Sequence, residues 1–136
     1  MAALRFVTED FAVSPQISPA DVAAAAEQGF VLIVNNRPDG EAPGQPDGAA
    51  IAAAARAAGL AYVHIPVTGR PSVEQAQAMR EAVDGAPGKT LAYCRSGTRS
   101  IVTWAMGQAA AGAMNPSELF RLGAAAGYDL SATPWA

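Results

Sequence analysis

The fold is decided by residues 90–100, which read TLAYCRSGTRS and contain the only cysteine of the chain. Residues 90–93 form a short apolar run that is typical of a buried strand, and apolar residues recur at helical spacing after Ser100. Cys94 therefore lies where a strand turns into a helix. Backbone N–H groups converge at such a turn, and the helix dipole favours negative charge there. The stretch predicts an anion-binding loop with a nucleophile at its base.

The side chains of this loop suit an anion. Arg99 carries a planar fork of N–H groups that fits a tetrahedral oxyanion, and Gly97 allows backbone angles that other residues resist. The Ser100 hydroxyl could donate to the sulfur, and Arg95 is either a substrate contact or a solvated side chain. We predict Cys94 and Arg99 as catalytic residues; the alternatives are an inert buried cysteine and a surface salt bridge. The predicted anion-binding residues are Arg95, Ser96, Gly97, Thr98 and Ser100.

Composition narrows the class of protein. A length of 136 residues fits one domain, residues 1–136, with its own core. The net charge of −3 argues against nucleic acid or an anionic membrane surface as partners, and a single cysteine excludes an internal disulfide framework. The N-terminal stretch carries acids where a signal peptide would be apolar, and no apolar run approaches the roughly 20 residues that span a bilayer. We expect a cytoplasmic protein.

Helix, glycine and strand follow one another three times along the chain. This rhythm predicts an α/β domain whose central, mostly parallel sheet carries helices on both faces. The predicted strands are residues 4–7 and 11–13 (edge strands or a hairpin), 30–35, 61–66 and 90–93. Four predicted helices begin near Ser18, Asp47, Ser72 and Asn115, and Asp47 is interpreted as an N-cap. One more helix is predicted directly after the Cys94 loop.

Three loops leave the carboxyl ends of the predicted parallel strands. They span residues 36–46, 68–71 and 94–99. Ligands of open α/β sheets bind outside these ends, so we expect the three loops to converge on one site.

The pattern Cys-x-x-Gly-x-Arg-Ser, residues 94–100, resembles the active-site loop of rhodanese-type sulfurtransferases. It is also close to the phosphate loop of cysteine-dependent phosphatases, but those carry five residues between cysteine and arginine, and this chain carries four. Nearly the whole chain resembles the phosphatase-like domain of beta-lactamase-hydrolase-like proteins. The motifs are SPQI (14–17), RPDGE (37–41), GQP (44–46), YVHIPV (62–67) and YCRSGTRS (93–100).

This resemblance implies a cysteine-phosphatase-like three-layer domain. Some members of the family are fused to, or named alongside, persulfide-oxidising enzymes and are called sulfur transferases. The resemblance therefore implies a small anionic substrate, which is a persulfide, thiosulfate or a phosphate ester. A persulfide-oxidising enzyme is a possible partner.

Two departures from the phosphatase pattern concern proton transfer. Phosphatases place His before the cysteine, where this chain has Tyr93, and dual-specificity phosphatases carry a general-acid Asp in the loop that is here Val67-Thr68-Gly69-Arg70. Loss of a general acid typically costs roughly 10²–10⁴ in rate. Asp39 or Glu41 could replace it, although Pro-Asp-Gly is also an ordinary turn signal. Asp39 is our predicted third catalytic residue.

Three functions follow from these residues. Sulfane-sulfur transfer through a Cys94 persulfide is the first, because it needs no acid and the loop has the rhodanese length. Hydrolysis of a phosphomonoester through a Cys94 phosphocysteine is the second. A non-catalytic anion-binding or regulatory module is the third. We expect no cofactor, and no metal, because one Cys and one His cannot make a zinc set. His64, Trp104 and Trp135 are interpreted as packing residues.

Overall fold

The computed structural model describes residues 3–131, so Trp135 lies outside the described residues. Within this range strands and helices alternate as the sequence predicts, and the first two strands form a hairpin. The elements are β1 (Arg5–Thr8), β2 (Phe11–Ser14), α1 (Pro19–Glu27), β3 (Phe30–Asn35), α2 (Gly48–Ala58), β4 (Ala61–His64), α3 (Val73–Gly85), β5 (Lys89–Tyr93), α4 (Thr98–Ala110) and α5 (Pro116–Ala125).

The sheet has the strand order β1-β2-β5-β3-β4. β1 pairs with β2 antiparallel, and every other pair is parallel. β5 lies between β2 and β3 and is buried on both faces, which explains why its sequence is a continuous apolar run rather than an alternating one. The strand that delivers Cys94 is therefore the central strand of the sheet.

Both faces of the sheet are covered by helices, as predicted. Side chains of β2 alternate between the faces: Phe11 and Val13 belong to one core and Ala12 to the other. The core on the Phe11 face contains residues of α3, α4 and α5, and the core on the Ala12 face contains residues of α1 and α2. Trp104 of α4 is buried and stacks on Phe11 with ring centroids 5.0 Å apart, which confirms its packing role.

The predicted fourth strand is too long. β4 ends at His64 rather than at Pro66, because proline has no N–H to donate to a ladder. The next residues still follow β3 outward: Ile65 N–H donates to the Asn35 carbonyl at 2.8 Å, and Val67 N–H donates to the Asn36 carbonyl at 3.0 Å. The loop after β4 is thereby held against the loop after β3.

Helix starts follow the predicted caps except at α2. Ser18 and Ser72 form capping boxes with the third residue of their helices, and Asn115 caps α5. Asp47 occupies the N-cap position of α2, but its side chain makes no capping hydrogen bond. Asp39 replaces it, since Asp39 Oδ1 accepts the Gly48 N–H at 2.7 Å.

In residues 3–131, every helix is too short or too polar to cross a membrane.

We expect Gly107→Ala to destabilise the fold. An added Cβ would lie 2.7 Å from the Ala76 carbonyl oxygen, because α4 and α3 pack closely at this point. Overpacking of this kind typically costs about 1–3 kcal/mol in the free energy of unfolding, measurable by urea denaturation. Gly85→Ala is the matched control, since an added Cβ there meets no atom within 4 Å. Alanine also has a higher helix propensity than glycine. Equal stability of the two variants would contradict close packing at Gly107.

Candidate active site

Cys94 lies at the carboxyl end of β5, one turn before α4. Its backbone N–H donates to the Ser14 carbonyl at 3.4 Å, which ties the start of the loop to the end of β2. Gly97 is the N-cap of α4 with a φ of 94°, in the region that favours glycine. Cys94 is fully buried, and its Sγ accepts the Gly97 N–H at 3.1 Å. The sulfur therefore faces the Gly97 amide at the start of α4.

The other loop side chains divide into two groups. Arg95, Ser96 and Thr98 are exposed, and Ser96 Oγ donates to Thr98 Oγ1 at 3.0 Å. Ser100 is buried on α4, but within the described residues its Oγ has no hydrogen-bond partner. The predicted hydrogen bond from Ser100 to the sulfur is therefore not made in this structure.

Arg99 reaches from α4 to the loop after β3. Its Nη1 and Nη2 donate to the two carboxylate oxygens of Glu41, each at 2.8 Å, and Nη1 also donates to the Val67 carbonyl at 2.7 Å. These hydrogen bonds to Glu41 are the main cause of the raised pKa of Arg99, and the nearby Cys94 sulfur adds to it. The guanidinium that would bind a substrate anion already holds an internal carboxylate.

A second arginine also donates a hydrogen bond to the Glu41 carboxylate. Arg37 is buried, and its Nε donates to Glu41 Oε1 at 3.0 Å, while its Nη1 donates to Gln16 Oε1 at 3.0 Å. His64 contacts the backbone of the same residue, because its Nε2 lies 3.0 Å from the Arg37 carbonyl oxygen. His64 is exposed at the end of β4, so it anchors a loop rather than filling a core.

Both candidate general acids, Glu41 and Asp39, accept hydrogen bonds from other groups of the protein. The pKa of Glu41 is lowered from 4.5 to about 2, first by its hydrogen bond with Arg99 and also by Arg37. Glu41 is therefore ionised at neutral pH and has no proton to donate. Asp39 accepts the Gly48 N–H at the start of α2, next to the glycine-containing turn that its sequence indicates.

Tyr93 cannot replace the activating histidine of phosphatases. Its side chain is buried in the core shared with α1 and α2. Burial is the main cause that raises the pKa of Tyr93 far above its usual range, so its hydroxyl stays neutral.

Two features of the site escape prediction from the sequence. The RPDGE motif contains Arg37 and Glu41, but nothing in it shows that Glu41 binds Arg99, 58 residues away. Tyr128, in the segment after α5, donates from its hydroxyl to the Ser96 carbonyl at 3.0 Å. It carries no sequence signal that connects it with the Cys94 loop.

No group of three or more His, Cys, Asp or Glu side chains in residues 3–131 is arranged to hold a metal ion.

Comparisons with known proteins agree with this geometry. Residues 3–111 match the model of the phosphatase-like domain of beta-lactamase hydrolase-like proteins. The chain is 40% identical over 131 residues to the beta-lactamase hydrolase-like protein of Xylella fastidiosa, covering 95% of this chain and 30% of that protein. The chain thus spans about a third of the length of its curated relatives, of which the one from Agrobacterium fabrum is covered to 32%.

Solved structures show the same fold. A Neisseria meningitidis protein, named as a candidate phosphatase, superposes with a TM-score of 0.82 at 36% identity, covering 93% of this chain and 90% of that one. A kinase-associated phosphatase, solved with its catalytic-site cysteine replaced by serine, gives a TM-score of 0.68 at 15% identity, covering 90% and 80%.

The central β5, the cysteine loop and α4 define an α/β domain of the cysteine-phosphatase fold. Within that class, the chain belongs to the family of phosphatase-like domains of beta-lactamase hydrolase-like proteins.

We expect Glu41→Gln to change how stability depends on pH. The folded pKa of Glu41 is about 2, below its ordinary value of 4.5, so its ionised form stabilises the fold fully above pH 4.5. This contribution is lost as the pH falls from 4.5 towards 2. At neutral pH the variant should be less stable by about 1–2 kcal/mol, because the buried Arg37 loses its counter-charge.

Urea unfolding of both proteins at a series of pH values measures this difference. The two stabilities should differ by a constant amount at neutral pH and converge in acid. Stability curves that stay parallel down to pH 2 would show that the carboxylate does not titrate as described.

Proposed function

We propose that this domain transfers sulfane sulfur, with Cys94 as the acceptor of the sulfur atom. The observation that carries the proposal is the absence of an available proton donor among the described acids of the site: Glu41 is ionised on Arg99, and Asp39 caps α2. Phosphate-ester hydrolysis needs an acid for a basic leaving oxygen. Sulfur transfer does not, because its leaving groups are stable anions.

The proposed reaction balances without an oxidant or a reductant. The Cys94 thiolate attacks the outer sulfur of thiosulfate or of a persulfide, forming Cys94–S–S⁻ and releasing sulfite or a thiolate. An acceptor thiolate or cyanide then removes the outer sulfur and regenerates the Cys94 thiolate. The loop amides, of which Gly97 N–H already contacts Sγ, would hold the negative charge of the persulfide.

Entry of the donor requires a change at Arg99. Cys94 is fully buried, and both Nη atoms of Arg99 are bound to Glu41. An anionic donor that binds this guanidinium must take the place of the Glu41 carboxylate. We therefore assign Glu41 as an internal anion that competes with the substrate rather than as an acid.

Phosphomonoester hydrolysis is the second candidate, and the similarity to proteins named as phosphatases favours it. In this reaction Cys94 attacks phosphorus and the alkoxide or phenoxide leaves. Without an acid, esters of acidic phenols would be the best substrates. If neither reaction occurs, the domain remains an anion-binding or regulatory module.

The wider biological setting is also a proposal. A thiolate nucleophile fits a reducing compartment, so we place the domain in the cytoplasm. A persulfide-oxidising enzyme is a fitting partner, because it would consume the persulfide that this site carries.

We expect purified protein to gain one sulfur atom on exposure to thiosulfate or a low-molecular-weight persulfide. Intact-mass spectrometry measures the gain, and subsequent cyanide should remove it with release of thiocyanate. Cys94→Ser is the control and should gain nothing, because Cys94 is the only cysteine of the chain. An unmodified wild-type mass would overturn sulfur transfer, and turnover of aryl phosphates would then support the second candidate.

We expect Glu41→Gln to bind inorganic sulfate more tightly than the wild type does, by about fivefold, which corresponds to about 1 kcal/mol. The physical reason is that the carboxylate competing for Arg99 has been removed. Isothermal titration calorimetry measures the dissociation constant.

Glu27→Gln is the matched control for this change of charge. Glu27 is exposed at the end of α1, just before β3 begins and so at the sheet edge opposite the loop. The sulfate affinity of the Glu27→Gln variant should equal that of the wild type. Weaker sulfate binding by Glu41→Gln would mean that Glu41 supports Arg99 rather than competing for it.

A further inference from the structure

One peptide bond of the loop is held at both of its ends. The Ser96 carbonyl accepts the Tyr128 hydroxyl at 3.0 Å, and the N–H of the next residue, Gly97, donates to Cys94 Sγ at 3.1 Å. These two groups belong to the same planar trans peptide unit, so they point in opposite directions. Drawing the carbonyl towards Tyr128 therefore turns the N–H towards the sulfur.

Tyr128 is itself fixed by its neighbours in the chain. Its backbone N–H donates to the Gly123 carbonyl at 2.8 Å, and Leu130 is buried in the core. Gly123 makes room for this turn, since an added Cβ would lie 2.7 Å from Leu130 Cδ1. The segment after α5 is thus anchored on both sides of the tyrosine.

Tyr128 and Gly97 also fit each other sterically. A Cβ added at Gly97 would collide with the Tyr128 hydroxyl, and the φ of 94° at Gly97 is unfavourable for any other residue. Gly97 therefore serves two purposes, the backbone angle and the close approach of the phenol.

We infer that Tyr128 is a positioning residue, which locks the Ser96–Gly97 peptide with its N–H facing Cys94 and the bound anion. The inference rests on the proposed function in taking Cys94 as the reacting group. Two arginines flank this contact, Arg99 beside Cys94 and Arg5 beside Tyr128.

The protonation state of Tyr128 suits this role. Burial, and then the charge of Cys94, raise the pKa of Tyr128, and Arg5 opposes them. The hydroxyl accordingly keeps its proton and acts as a donor. If it is removed, the peptide can rotate and present its carbonyl oxygen to the anion, which repels negative charge.

Tyr128→Phe tests this inference, because it keeps the aromatic ring and removes only the donor. We expect hydrogen-exchange protection of the Gly97 amide and the affinity for inorganic sulfate each to fall about three- to tenfold, the usual net value of one hydrogen bond. The amide proton resonance of Gly97 should shift, while thermal unfolding should change little.

Tyr62→Phe is the matched hydroxyl deletion. The Tyr62 hydroxyl accepts from Asn35 Nδ2 at 3.0 Å, so its loss should leave the Gly97 amide unchanged. An unchanged Gly97 amide in Tyr128→Phe would overturn the inference, even if turnover fell, because Tyr128 would then act as a proton donor. Failure of the proposed function is a separate result: the wild type would gain no sulfur, while the Gly97 amide would still respond to Tyr128→Phe.

Discussion

The parallel pairing of β5 with both β2 and β3 is the constraint on which the rest of the structure depends. It buries the apolar strand before Cys94 and directs the cysteine out of the middle of the sheet. The same pairing places the loops after β3 and β4 beside the Cys94 loop, since parallel strands end at one edge. Hydrogen bonds from Asn36 to the Tyr93 carbonyl and from Val67 to the Asn36 carbonyl then join these loops in sequence across the edge.

The charged side chains at this edge of the sheet form one ion-pair network. Two arginines, Arg37 and Arg99, both donate hydrogen bonds to the Glu41 carboxylate. An unpaired buried cation is costly, so a fold that keeps Arg37 buried needs an internal counter-ion. Glu41 meets that need, and this role is incompatible with holding a proton for a leaving group.

Local signals were sufficient to predict most of the fold. Capping residues and glycines marked the starts of α1, α3 and α5, and apolar runs marked β3 and β5, because these features depend on residues close in sequence. The prediction was wrong where the structure depends on distant partners. The cap of α2 comes from Asp39 rather than from the adjacent Asp47 side chain, and β4 ends before its proline.

The candidate site could likewise be predicted only where its residues lie close together in the sequence. The positions of Cys94, Gly97 and Arg99 follow from one short motif, but the partner of Arg99 lies 58 residues away and that of the Ser96 carbonyl lies 32 residues away. Side-chain hydrogen bonds over such distances leave no periodicity in a sequence. Tyr128 is the clearest case, because it follows α5 in a segment whose composition is that of an ordinary surface turn.

The length of the cysteine loop and the hydrogen bonds of the two acidic residues both bear on the choice between sulfur transfer and ester hydrolysis. With four residues between Cys94 and Arg99, the loop enters α4 directly after Gly97, and the Gly97 amide lies against the sulfur itself. An amide in this position favours a charge carried on sulfur more than one carried by a leaving oxygen further out. With Glu41 ionised and Asp39 bound to the Gly48 amide, neither candidate acid offers a proton, whereas the Gly97 amide and Arg99 both stabilise negative charge. That combination is suited to a reaction whose intermediates and products are all anions, which is the physical basis for preferring the proposed sulfur transfer over ester hydrolysis.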